Sequence, residues 1–166
     1  MLGLLFRGNL GEVRMAVLCP IAGKPGKPVR PVTVRSLVRN EYAGEIERRG
    51  WFFCDLPKCD VVYFSADGKV LSKDTLKVRV GIKEKESPRS VCYCFGHTVE
   101  SIREEIAQTG RSTVAAAITA KIHAGLCSCE LLNPKGRCCL GDVNGVVDAA
   151  FAIALLCLRS RSAGSN

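Results

Sequence analysis

Apolar and polar residues change rhythm about halfway along this chain. Up to Ile82 the apolar positions fall in short runs with strand-like spacing: Pro31–Val38 alternates, Trp51–Phe53 is aromatic, and Val61–Phe64 is β-branched and aromatic. Residues of this kind suit a pleated, half-buried surface, so the runs predict strands. Asp67-Gly68 directly after the third run predicts a hairpin, with Lys69–Leu71 as the returning strand and Thr75–Val80 as a further one. Polar Lys83–Ser90, containing Pro88, then interrupts the pattern and predicts a linker.

Beyond Val91 the apolar spacing becomes helical. Thr98 is placed as an N-cap, with Glu100 in the first turn, Ile102 and Ile106 on one face and Gly110 as the stop. A second helix is expected from a Ser112 cap through Val114, Ile118 and Ile122 to Gly125, and a third from Cys139 or Leu140 towards Leu158. The apolar run Val143–Leu158 contains Asp148 and is shorter than the ~20 residues of a spanning helix, so a buried or partner-facing helix is expected rather than membrane insertion. The polar tail 159–166 is expected to fray.

Cysteines lie at the ends of these helices. Six of the ten occur as Cys92-Tyr93-Cys94, Cys127-Ser128-Cys129 and Cys138-Cys139, with a cysteine-free helical stretch between the first two pairs. That arrangement lets distant thiolates converge. Four thiolates are what an iron–sulfur cluster requires, and Cys-x-Cys pairs suit one iron apiece. Cys92 and Cys94 are the firm ligands, and the other two come from Cys127, Cys129, Cys138 and Cys139. Helix N-termini offer N–H donors to an anionic cluster, and Gly96, Gly125, Gly136 and Gly141 either let backbone approach it or serve as turns and caps. Six thiols make histidine ligation by His97 or His123 unnecessary. Cys157, alone in an apolar run, reads as a packed small hydrophobe.

Charge and length narrow the partners. At 166 residues and 47% apolar content the chain can bury about 70% of its extended surface, so metal is not needed for size alone. The formal charge is +8, but basic residues are interleaved with acids, which argues against nucleic acid. Only Lys24–Arg39 is one-signed, either a solvated loop and strand edge or a docking surface for an acidic protein. Leu2–Phe6 is too short and Arg7, Glu12 and Arg14 too charged for a secretory leader, so a cytoplasmic location with reduced, metal-binding thiols is expected.

Val91–Gly96, Gly125–Cys129 and Asn133–Gly141 closely resemble the N-terminal region of CopZ-type copper chaperones, which carry a [2Fe-2S] cluster, and more distantly the bacterioferritin-associated ferredoxins. The resemblance extends upstream through Cys19-Pro20, Gly26–Val29, Phe53-Cys54, Cys59 and Val61–Phe64, which are similar to that family's zinc-binding part. It implies an α+β chain: a zinc-ribbon-like β subdomain over 15–82, a linker over 83–90, a helical [2Fe-2S] subdomain over 91–158 and a disordered tail. Zinc would be held by Cys19, Cys54 and Cys59. The family's first knuckle is Cys-Pro-x-Cys, whereas Ala22 stands here at its second cysteine. Asp55, Asp60 or a water would then complete the tetrahedron; otherwise the thiols pack beside Trp51 and Phe53. No Met-x-Cys-x-x-Cys follows Gly141. What the resemblance implies is one-electron transfer that reduces Cu(II) to Cu(I) for a copper chaperone or copper-transporting ATPase, or serves another redox protein; the competing expectations are a non-redox adaptor in which zinc or bare thiols shape a docking surface, and a thiol-based metal scavenger. Met15 directly precedes the matching region and is an alternative start.

Overall fold

A computed structural model describes residues 16–46 and 49–162; Met15, residues 163–166 and the side chain of Cys157 lie outside what it describes. The first half is built on an antiparallel sheet in the order β1(Lys27–Val29), β2(Trp51–Phe53), β3(Val61–Ser65), β4(Val70–Ser72). The two aromatic and β-branched runs pair directly, Trp51 opposite Ser65 and Phe53 opposite Tyr63. The expected hairpin closes at Asp67-Gly68, where the Gly68 N–H donates to the Ser65 carbonyl at 3.1 Å. Trp51, Phe53, Val62, Tyr63 and Leu71 then form the centre of one core.

Pro31–Val38 is not a strand. Pro31–Leu37 forms helix α1, with Pro31 at its first turn, where a missing N–H costs nothing. In so short a window alternation and helical spacing overlap, and burial separates them: Thr33, Val34, Leu37 and Val38 are buried while Val32 is exposed, a helical stripe. Thr75–Val80 likewise forms no strand. Lys73–Thr75 is a 3-10 turn, and the chain then lies along the end of α1, with Lys77 N–H on Leu37 O at 2.8 Å and a single bridge between Val38 and Leu76.

The second half contains a short hairpin, β5(Ser90–Cys92) and β6(His97–Thr98), and helices α2(Val99–Thr109), α3(Val114–His123), α4(Cys129–Leu132) and α5(Leu140–Ser162). Thr98 caps α2 as expected: its hydroxyl accepts from Ser101 N–H at 3.0 Å and the Ser101 hydroxyl accepts from Thr98 N–H at 3.0 Å. Gly110 ends the helix in a left-handed conformation. Thr113 occupies the N-cap position of α3 without a side-chain cap bond; the Ser112 hydroxyl accepts from Val114 N–H at 3.4 Å, and Glu105 of α2 accepts from Thr113 N–H and from both hydroxyls. α5 continues through Ser162, beyond Leu158. Among the described residues no helix is long and apolar enough to cross a membrane.

The segment expected as a linker is packed. Lys83 is only 3% exposed, and Arg89 donates to both oxygens of Glu100 at 2.9 Å. The halves also meet elsewhere: α1 lies against α4 with the Ser36 hydroxyl donating to Leu131 O at 2.7 Å, and buried Tyr63 donates to Pro134 O at 2.8 Å. Lys27 and Arg30, within the basic stretch, are engaged in ion pairs with Asp55 and Glu130. Burial pushes the Tyr63 phenol well above its ordinary pKa, so it stays a donor. Tyr63→Phe leaves the Pro134 carbonyl without that bond and is expected to cost about 1–3 kcal/mol, read as a lower denaturant midpoint at unchanged slope.

Candidate metal centres

Among the described residues three cysteines converge in the first half, and in the second half one pair, Cys94 and Cys129, comes together. In the first, Cys19 comes from the loop before β1, Cys54 from the end of β2 and Cys59 from the loop before β3. All three are buried, and their sulfurs lie within 4.8 Å of one another. Cys19 and Cys59 are 4.0 Å apart, close to the ~3.8 Å separating two ligands on a tetrahedral zinc with bonds of about 2.3 Å. The donor set therefore fits zinc on three sides. The alternative, simple packing beside aromatics, describes the surroundings but not the convergence: Val61 and Phe64 enclose the thiols while the sulfurs face one another.

The two carboxylates considered as completing ligands are engaged elsewhere. Asp55 pairs with Lys27, which holds its carboxyl below the usual range, and Asp60 pairs with Lys73 at 3.2 Å on the surface. Ala22 keeps the backbone part of a knuckle, its N–H pointing at the Cys19 sulfur at 3.5 Å. Burial raises the Cys19 thiol, but the N–H groups of Ala22 and Ile21 and the neighbouring thiols outweigh it and leave its pKa lowered. Cys54 is pushed up to about 11, chiefly by burial. Metal binding here must displace thiol protons.

Lys83 is a member of this site that sequence reasoning missed. Its ammonium donates to Leu56 O at 3.1 Å and Cys59 O at 3.0 Å, and the nitrogen sits 5.8 Å from the centre of the Phe53 ring. Burial lowers its pKa, while the Cys54, Cys59 and Cys19 thiolates oppose that shift. Its place at the head of a polar, charged segment hides it, since nothing local marks one lysine of such a run as buried.

In the second half the close sulfur contact runs between chain segments rather than within a Cys-x-Cys pair. Cys94 and Cys129 are 3.6 Å apart, while Cys92 and Cys139 belong to one buried core. Cys92 and Cys139 are buried in the helical core with Ile102, Ile118 and Val143. Cys127 is half-buried and Cys138 exposed. Ser128 N–H donates to the Cys94 sulfur at 3.3 Å. Burial pushes Cys129 up to about 11 and Cys139 higher still.

The loop carrying Cys138 and Cys139 is built by Asn133, 2% exposed, whose side chain donates to Arg137 O at 2.7 Å and accepts from Lys135 N–H at 3.0 Å. Gly136 serves this turn, not close approach to a cluster: φ is +62°, and an added Cβ would lie 2.9 Å from the Thr33 hydroxyl of α1. Gly96, Gly125 and Gly141 likewise have open space where a Cβ would be. His97 pairs in register with Cys92, and its Nε2 is buried without a hydrogen-bond partner.

Comparison with known proteins agrees with both halves of this architecture. The CopZ zinc-binding domain family, described as "Zinc binding domain", matches residues 16–77. The copper chaperone CopZ of Archaeoglobus fulgidus is 38% identical over 121 residues, which cover 73% of this chain and 57% of that protein. The X-ray structure of the A. fulgidus CopZ N-terminal domain superposes with a TM-score of 0.65 at 34% identity, covering 78% of this chain and 96% of that one. The chain thus spans little more than half the length of the copper chaperone it matches.

Proposed function

Starting from the fact that this chain belongs to the family of CopZ N-terminal domains, we propose that it binds a [2Fe-2S] cluster beside its zinc-binding domain and passes single electrons in copper handling. The observation that carries this reading is the 3.6 Å approach of Cys94 to Cys129, together with the burial of Cys92 and Cys139 in one core. These four thiols, drawn from separate segments of the fold, would hold the cluster.

Such a cluster, when bound, accepts and releases one electron, enough to convert one Cu(II) to Cu(I). The chain's own residues hold it, shield it and tune it. The buried Cys92 and Cys139 fix one side against the helical core, while Cys94 and Cys129 face outward, only partly buried. The Ser128 N–H aimed at the Cys94 sulfur stabilises added negative charge and raises the reduction potential. Cys127 and Cys138 stay outside the ligand set. The electron acceptor is Cu(II) destined for a copper chaperone or copper-transporting ATPase, or a redox protein of similar reach.

The test uses anaerobically purified full chain. Iron and acid-labile sulfide in equal amounts, with visible absorption that bleaches on dithionite and returns as Cu(II) is converted to chelator-trapped Cu(I), one copper per cluster, is the expected result. A colourless protein free of iron and sulfide overturns the proposal. So does a cluster that stays reduced in the presence of Cu(II).

A further inference from the structure

The zinc site departs from its family at one position, and the geometry there is specific. We propose that the metal held by Cys19, Cys54 and Cys59 keeps an exchangeable fourth coordination position beside Ala22, filled by a neutral oxygen or nitrogen donor: water, or an incoming imidazole. This goes beyond the electron-transfer reading and does not depend on it.

Three observations carry the inference. First, among the described residues no other cysteine, histidine or carboxylate joins the three sulfurs. Asp55 and Asp60 are paired with lysines, and Lys83 is committed to two backbone carbonyls. Second, Ala22 N–H points at the Cys19 sulfur at 3.5 Å, and its methyl, which offers no ligand atom, packs against the cluster of thiols. Ala22 is itself only half-buried, at the edge of an otherwise buried group of thiols.

Third, charge selects the incoming donor. Three thiolates around a dication leave one net negative charge in an apolar surround of Val61 and Phe64. The Lys83 ammonium, buried against the Cys59 carbonyl, offsets it. An anion arriving from solution would add a second negative charge to a buried site, at a cost of several kcal/mol, without the chelate advantage that a fourth cysteine of the chain itself would have. A neutral donor adds none. Three protein ligands with one open place is the arrangement of exchangeable zinc sites, as distinct from closed four-thiolate structural ones.

Zinc K-edge X-ray absorption of the full chain tests this without interference from iron. The expected first shell is three sulfurs and one light atom. Added imidazole replaces the light atom and brings the outer-shell scattering of its ring. In Ala22→Cys the shell becomes four sulfurs, imidazole has no effect, and zinc transfer to a chelator slows by about tenfold or more. A four-sulfur shell in the unaltered chain, a three-sulfur shell with no light atom, absence of zinc, or indifference to imidazole each overturns the proposal. Should Ala22→Cys fail to fold, the imidazole response of the unaltered chain decides alone.

Discussion

Cys139→Ser is expected to abolish the visible iron–sulfur absorption of anaerobically purified protein, and Cys129→Ser to do the same, whereas Cys127→Ser and Cys138→Ser keep the colour and the full iron and sulfide content. The contrast follows from burial and contact. Cys139 is 1% exposed in one core with Cys92, while Cys138 beside it is exposed; Cys129 lies 3.6 Å from Cys94. Serine at a ligand position removes a soft thiolate and, at Cys139, places a hydroxyl among Ile102, Ile118 and Val143, a desolvation penalty of about 1–3 kcal/mol. Far-ultraviolet circular dichroism separates cluster loss from unfolding, because the capped α2 and α3 do not require the cysteines. The opposite pattern, colour lost with Cys127 and kept without Cys129, would falsify the ligand set while leaving the cluster itself in place.

Gly81→Ala is expected to lower stability by about 3 kcal/mol or more, a fall in Tm of roughly 6–12 °C for a chain of this size. A Cβ at Gly81 would sit 1.9 Å from the Ser90 carbonyl oxygen and 2.8 Å from the Ser90 carbonyl carbon and nitrogen. Those are backbone atoms with no rotamer to move, so the two segments must separate. Separation also disturbs the Gly81 N–H bond to the Tyr93 hydroxyl at 2.8 Å. Lys83 follows two residues later under the zinc cysteines, and Ser90 leads directly into Cys92, so the strain reaches both centres. Thermal unfolding of the metal-loaded protein followed at two wavelengths, one for helix and one for the cluster, is the measurement; a change in Tm of under about 2 °C would mean that the close contact does not persist in solution.

Much of the local structure was legible from residues alone. Asp67-Gly68 marks its hairpin, Thr98 and Gly110 bound their helix, and the aromatic runs at Trp51 and Val61 pair as strands. Each is a signal contained within a few neighbouring residues. The errors share a different cause. Pro31–Leu37 is a helix because Val34 and Leu37 face a core and Ser36 reaches Leu131, far along the chain. Thr113 rather than Ser112 takes the N-cap position, with its N–H and hydroxyl bound by Glu105 of the preceding helix, and Lys83, at the head of an apparent linker, is drawn inward by carbonyls from the zinc loop.

The same division runs through the metal centres. By itself the chain determined which thiols exist, that they gather at helix ends, and that the first knuckle lacks its second cysteine at Ala22, since these are matters of identity and spacing. Only the tertiary structure decided that Cys94 faces Cys129, that Cys139 is buried in one core with Cys92 while Cys138 is exposed, and that a buried ammonium stands behind Cys59. Sulfur–sulfur proximity and the offset of a buried charge arise between residues brought together by packing from separate segments, and no local periodicity encodes that meeting.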